Sequence, residues 1–158
     1  MSDLELRMEK LEQRVHELQD RVDLHEIMAR YGPAVDSGSA DAAAALWAED
    51  GIYDAEGAGP MRSADAVREM VNGPAHQSLL PNCAHTIGPA TLDLDGDRAT
   101  ATGYSRVYKR KGDAFELWRL ATNRWEFERR DGRWCVARRV NRLIGNEESR
   151  QLLARAVE

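Results

Sequence analysis

The chain has 158 residues, of which 42% are hydrophobic, 31% charged and 6% aromatic; this is the content of one globular domain and excludes a multidomain assembly or a disordered tail. A net charge of -5 implies no basic surface for a phosphate backbone, so nucleic acid is not an expected partner. No apolar run approaches the ~20 residues of a membrane span, the N-terminus is charged from Asp3 onward, and Cys83 and Cys135 are too few for a disulfide framework, so a cytoplasmic protein with reduced thiols and no membrane partner is expected.

From Leu4 the apolar residues fall at Leu4, Met8, Leu11, Val15, Leu18 and Val22, alternating steps of four and three. This is a heptad seam with Leu at d and Met or Val at a, a choice that leans toward two strands in parallel coiled coils. It serves either a contact between chains or an amphipathic helix lying on its own domain. The helical pattern continues through Leu24, Ile27 and Met28 to Tyr31, and Gly32-Pro33 is expected to kink or interrupt it. A turn at 36–39 leads to an alanine-rich helix, capped by Ser39 or Asp41 and running to about Ala48. Ser63 or Asp65 caps a third helix that reaches about Asn72 and stops at Gly73-Pro74.

After Pro81 the texture becomes β-rich, punctuated by Asp95-Gly96, Lys111-Gly112-Asp113 and Asp131-Gly132, each a hairpin turn. Strands are predicted near 82–94, 97–110, 114–130 and 133–145, with a shorter one near 51–56. The short connections make an antiparallel meander, with Gly88-Pro89 as a bulge or edge. Helices followed by strands indicate an α+β domain, helices on one face of a curved sheet. The expected organisation is an amphipathic helix over 1–22, a domain over 23–146 and a helical tail over 147–158.

The four histidines, His16, His25, His76 and His85, form no HExxH-like pair, and there is no Walker loop, GxGxxG or nucleophile elbow. No metal or cofactor is expected. His85, near the start of a strand, is either a hydrogen-bonded core histidine or a base working with little tuning of its pKa. Asp36, at a helix end, is either a turn residue or the carboxylate that fixes the His85 tautomer, should folding join them. In the last strand, strict alternation puts Arg139, Asn141 and Leu143 on one face and Trp134, Val136, Arg138, Val140 and Arg142 on the other. A guanidinium on the concave side could stabilise developing negative charge. Tyr31 and Tyr53 could donate phenolic hydrogen bonds or simply pack in the core, and Cys83 and Cys135 read as small buried hydrophobes.

Four stretches carry a family resemblance: Arg30-Tyr31 through Val35-Asp36, Ala45-Leu46-Trp47-Ala48-Glu49-Asp50-Gly51, Asp95-Gly96-Asp97-Arg98-Ala99, and Glu128-Arg129-Arg130-Asp131-Gly132-Arg133-Trp134. In order and spacing, over about residues 20–145, they resemble the SnoaL-like branch of the nuclear transport factor 2 superfamily. That resemblance implies a cone-shaped α+β barrel, a bent antiparallel sheet wrapped around helices and enclosing an apolar pocket. Within the superfamily the chain looks most like bile-acid 7α-dehydratase, γ-hexachlorocyclohexane dehydrochlorinase and scytalone dehydratase, which eliminate without a cofactor through a His-Asp dyad. Carried over residue by residue, the likeness implies His85 and Asp36 as the dyad and Arg139 as a catalytic cation, with Tyr31, Tyr53 and Arg142 as substrate contacts; Trp47, Asn123 and Asn141 are further candidate substrate contacts. The scytalone enzyme's second histidine has no counterpart near Tyr104 to Tyr108, and Arg142 fits the bile-acid enzyme's late arginine only after a one-residue shift.

The implied activity is a dehydratase-like elimination on a small apolar cyclic or aromatic substrate, by a homo-oligomer, dimer or trimer. Alternatives on the same fold are a ketosteroid-type isomerase, a formaldehyde-releasing carbon-carbon lyase and a non-catalytic ligand-binding module. Proximity of Asp36 and His85 inside an open pocket favours an enzyme; separation or solvent exposure favours the module.

Overall fold

Ser2 caps the first helix of the computed structural model, which describes residues 2–158; Met1, the first residue of the expected 1–22 segment, lies outside them. The Ser2 side chain accepts the Glu5 N–H, and Glu5 accepts the Ser2 N–H at 2.5 Å, a reciprocal box that satisfies two N-terminal donors. This helix, α1 (Asp3–Asp36), is 34 residues long. Residues 2–19 are exposed, whereas Leu24, Met28, Tyr31 and Val35, at helical spacing, are buried. Each Leu, Met or Val so buried contributes about 1.5–3 kcal/mol, which anchors the C-terminal half of the helix to the domain. The expected interruption at Gly32-Pro33 does not occur. Pro33 lies in the last turn, where its missing N–H removes one bond near the end of the ladder, and the Ser37 N–H still closes on the Pro33 carbonyl at 3.0 Å.

A turn through Gly38, at a left-handed φ of +70°, leads into α2 (Ala40–Ala44). The alanine run promised a longer helix, but the chain is already extended at Trp47, where β1 (Trp47–Ala55) begins. Packing decides this: Trp47 is buried in the core, and the Leu46 carbonyl accepts the Val136 N–H at 2.9 Å. A short hairpin to β2 (Gly59–Arg62) was not expected. Helix α3 (Ala64–Asn72) is capped by Ser63, whose side chain accepts the Ala66 N–H at 3.0 Å, and it ends at Gly73 before a further single turn, α4 (Pro74–Gln77).

The meander comprises β3 (Cys83–Asp95), β4 (Arg98–Lys111), β5 (Ala114–Arg130) and β6 (Arg133–Leu143), and a final helix, α5 (Glu147–Ala154), follows. The six strands form one sheet in the order β2-β1-β6-β5-β4-β3. It is mixed and not wholly antiparallel as expected, because β1 runs parallel to β6. The β3–β4 register shifts between Ile87 and Ala90, the bulge foreseen at Gly88-Pro89. A second bulge was not foreseen: opposite Glu126 and Phe127, the β6 partners jump from Arg138 to Val136, leaving Ala137 unpaired. It turns Trp134 and Val136 over to the face of Arg139 and Asn141, and both join the core with Trp125, Phe127 and the buried residues of α1. The architecture is therefore α+β, with α1, α2 and α3 packed on the face of the sheet that carries Trp125 and Phe127. On β5, Thr122 meets Ser149 of α5 at 2.8 Å. Among the described residues no helix is long and apolar enough to cross a membrane.

Candidate functional site

Asp36 closes α1 and His85 is the third residue of β3, and their side chains meet. Asp36 Oδ1 lies 2.6 Å from His85 Nδ1, while Oδ2 accepts the His85 backbone N–H at 2.6 Å. One carboxylate thus grips both the ring and the main chain of the histidine, selecting the tautomer with the proton on Nδ1. Gly32, one turn before Asp36, makes this approach possible, since a Cβ there would collide with the His85 carbonyl oxygen. On α4 the buried His76 contacts the Val35 carbonyl through Nε2 at 2.7 Å, and its ring lies 5.8 Å from that of His85.

Burial pushes the His85 imidazole below its ordinary value; the Asp36 hydrogen bond and charge pull upward, and the charges of His76 and Arg139 push down again, leaving a net depression. The imidazole is accordingly neutral at neutral pH, and the contact with Asp36 is an N–H to carboxylate hydrogen bond instead of an ion pair. The His85 and Asp36 side chains remain 18% and 22% exposed, so the dyad is shielded but reachable. Cys83 donates to Asp36 Oδ1 at 3.5 Å, and burial, together with the Asp36 charge, pushes its thiol up to about 11. It is a protonated donor and not a nucleophile.

Arg139 on β6 is 2% exposed. Its Nε donates to Asn123 Oδ1 at 2.8 Å, Asn141 donates to the same oxygen at 3.1 Å, and Asn123 in turn donates to Ser105 Oγ at 2.5 Å. The guanidinium carbon lies 4.1 Å from the ring centre of Trp125, 4.2 Å from Tyr31 and 4.8 Å from Tyr53. Such cation–π contacts help offset burial of the charge. Burial pushes the Tyr31 phenol far above its ordinary value, with Tyr53 adding to the effect and Arg139 opposing it, so Tyr31 stays neutral. Among the described residues two buried donors, Arg139 Nη1 and Trp47 Nε1, have no hydrogen-bond partner. An unsatisfied buried donor costs about 1–3 kcal/mol, more when charged, and such exceptions call for a functional explanation. Both belong to one aromatic cluster, since the Trp47 ring is 5.5 Å from that of Tyr53.

Residues 16–140 match the SnoaL-like domain family. The chain belongs to the SnoaL-like family. A solved structure of an NTF2-like protein with a cystatin-like fold, from Novosphingobium aromaticivorans, is 39% identical with a TM-score of 0.88, over 90% of this chain and 94% of that one. Two more distant structures share the fold. A hexachlorocyclohexane dehydrochlorinase from Novosphingobium barchaimii is 20% identical, TM-score 0.72, over 83% of this chain and 90% of its own. A protein of unknown function from Mycobacterium tuberculosis is 18% identical, TM-score 0.73, over 90% and 89% respectively. No curated protein matches the chain.

In this SnoaL-like domain Tyr31, Tyr53, Asn123 and Asn141 gather around Arg139 and Trp47 joins them through Tyr53, but Arg142 does not. Its Nη2 binds Asp54 Oδ2 at 2.8 Å, its Nε binds Glu148 at 2.7 Å and its Nη1 donates to the Asp54 carbonyl at 3.1 Å. Arg142 is one residue out of phase with Asn141, and its guanidinium ties β1 to α5 instead of joining the Arg139 cluster. That hydrogen bonding, ahead of the opposing effect of burial, holds Asp54 below the usual carboxylate range. Sequence reasoning missed Gly32, His76, Ser105 and Trp125; all reach the site through long-range contacts that leave no local pattern. Asp36, Cys83 and His85 also place donor atoms within 4.8 Å of one another. In the structure this trio is joined by hydrogen bonds, with Asp36 Oδ1 receiving both the His85 ring and the Cys83 thiol. A surface cleft of about 860 Å³, bordered by Glu26, Arg30, Ser37 and Trp134, is lined by none of His85, Asp36 and Arg139; chemistry and not volume selects the site.

Proposed function

We propose that this SnoaL-like domain is a lyase working without a cofactor, eliminating water or a comparable leaving group from a small apolar cyclic or aromatic substrate. The observation that carries this reading is the Asp36–His85 clasp around a neutral imidazole. His85 Nε2 removes a proton from carbon, the C–H electrons form the new double bond, and the leaving group departs from the neighbouring carbon with its bonding pair. Asp36 stabilises the imidazolium formed in that step. Arg139 Nη1 and Trp47 Nε1, the two unpartnered donors, bind the leaving group or an adjacent oxygen as negative charge develops. Tyr31, Tyr53 and Trp125 give the substrate an apolar wall.

Further support comes from the fold neighbour named a dehydrochlorinase. A ketosteroid-type isomerase would need a carboxylate base, and Asp36 has both oxygens occupied by His85. The test is a mass-spectrometric screen of purified protein, without added cofactor, against hydroxylated steroid ketones, β-hydroxy ketones and aryl diols, with His85→Ala alongside. Loss of water by the wild type alone supports the dehydratase. Loss of formaldehyde keeps the dyad but changes the bond broken, while binding without conversion favours a ligand-binding module.

A further inference from the structure

The N-terminal half of α1 carries an apolar seam that the domain does not cover. Leu4, Met8, Leu11, Val15, Leu18 and Val22 are each between 52% and 65% exposed. The helix is held from another side: Asp20 accepts from Arg129 at 2.8 Å and from Trp134 at 2.9 Å, and Arg21 donates to the Leu92 carbonyl at 3.2 Å. These contacts fix the direction of α1 and leave the seam facing outward. Residues 3–22 span about 30 Å at the helical rise, and a row of six large apolar side chains left in water has no reason to persist unless something covers it.

We propose that this segment joins two copies of the chain in a parallel, in-register, two-stranded coiled coil. The flanking charges identify the occupant. With Leu at d and Met or Val at a, Arg7, Arg14 and Arg21 fall at g, while Glu5, Glu12 and Gln19 fall at e. A parallel pairing sets each g residue against the e residue of the following heptad in the other copy, so Arg7 meets Glu12 and Arg14 meets Gln19. An antiparallel pairing instead sets g against g and e against e, facing Arg with Arg and Glu with Glu. The seam therefore complements a second copy of itself in one orientation and repels it in the other. Val at a with Leu at d selects two strands over three. Three heptads are short for a free coiled coil, but α1 is continuous into the domain, where its buried half already orders it.

The prediction is read from mass in solution and from cross-linking. Sedimentation or light scattering should give twice the chain mass for the wild type, and a monomer for Leu11→Asp with Leu18→Asp. Both positions are exposed in the single chain, so the thermal transition of the domain should persist in that variant. Under oxidation Leu4→Cys should cross-link to a covalent dimer, because d residues of a parallel pair face each other. A monomeric or trimeric wild type, or a dimer that survives the double Asp variant, overturns the proposal. A dimer in which Leu4→Cys fails to cross-link overturns the parallel orientation. None of these outcomes depends on the lyase reading.

Discussion

Gly32 of α1 lies against the backbone of His85, and the space a side chain would need is occupied by the His85 carbonyl oxygen. Helix propensity alone favours Gly32→Ala by about 1 kcal/mol. Overpacking opposes it and should win, because the obstacle is backbone and not a movable side chain. Overpacking costs about 1–3 kcal/mol, so denaturant titrations should show a net loss of up to about 2 kcal/mol, with turnover falling as Asp36 is pushed from His85. An unchanged or raised midpoint would show that the helix can retreat freely.

The Asn123 side chain holds Arg139 in a site from which water is excluded. Asn123→Ala should cost about 1.5–3 kcal/mol, the value of a hydrogen bond to a charged group. Arg139→Leu should cost less stability, since an apolar side chain suits the ring of Tyr31, Tyr53 and Trp125, yet it should lose turnover almost completely. Urea titrations beside initial rates separate the two effects.

The depressed pKa of His85 gives pH dependence a defined sign. As pH falls below the ordinary value of 6.5, the unfolded chain takes up this proton before the folded one does. The folded state therefore loses stability through the window just below 6.5, with nothing lost from this group above it. His85→Asn should lack that component when the two stability–pH curves are subtracted. The acid limb of kcat/KM should likewise have its midpoint below 6.5; a midpoint above it would contradict the burial-dominated shift.

Arg142 links Asp54 of β1 to Glu148 of α5. Arg142→Ala should loosen α5 and lower stability by about 1–3 kcal/mol, leaving substrate KM unchanged. A raised KM with unaltered stability would return Arg142 to the substrate contacts.

Features with local chemistry were legible in the sequence. Ser63 and Gly73 bounded α3, and Asp95-Gly96, Lys111-Gly112-Asp113 and Asp131-Gly132 placed the hairpins within about two residues. Features decided by distant packing were not. Ala45-Leu46-Trp47 reads as helix until Val136 arrives to pair with it, and nothing local announces that β1 runs parallel to β6. The bulge at Ala137 reversed the faces of Trp134 and Val136 without any glycine or proline to mark it. His85 and Asp36 were conspicuous as residue types, but their meeting depends on Gly32, whose reading as a helix interrupter hid its part in a close approach.

The central claim is that His85, held by Asp36, is the base. The most direct measurement is the turnover of the converted substrate by wild type, His85→Ala and Asp36→Asn at matched folded concentration. The account predicts a ~100 to 10,000-fold loss for His85→Ala, the usual contribution of a positioned general base, and a large loss for Asp36→Asn. A loss of less than tenfold in His85→Ala would contradict it.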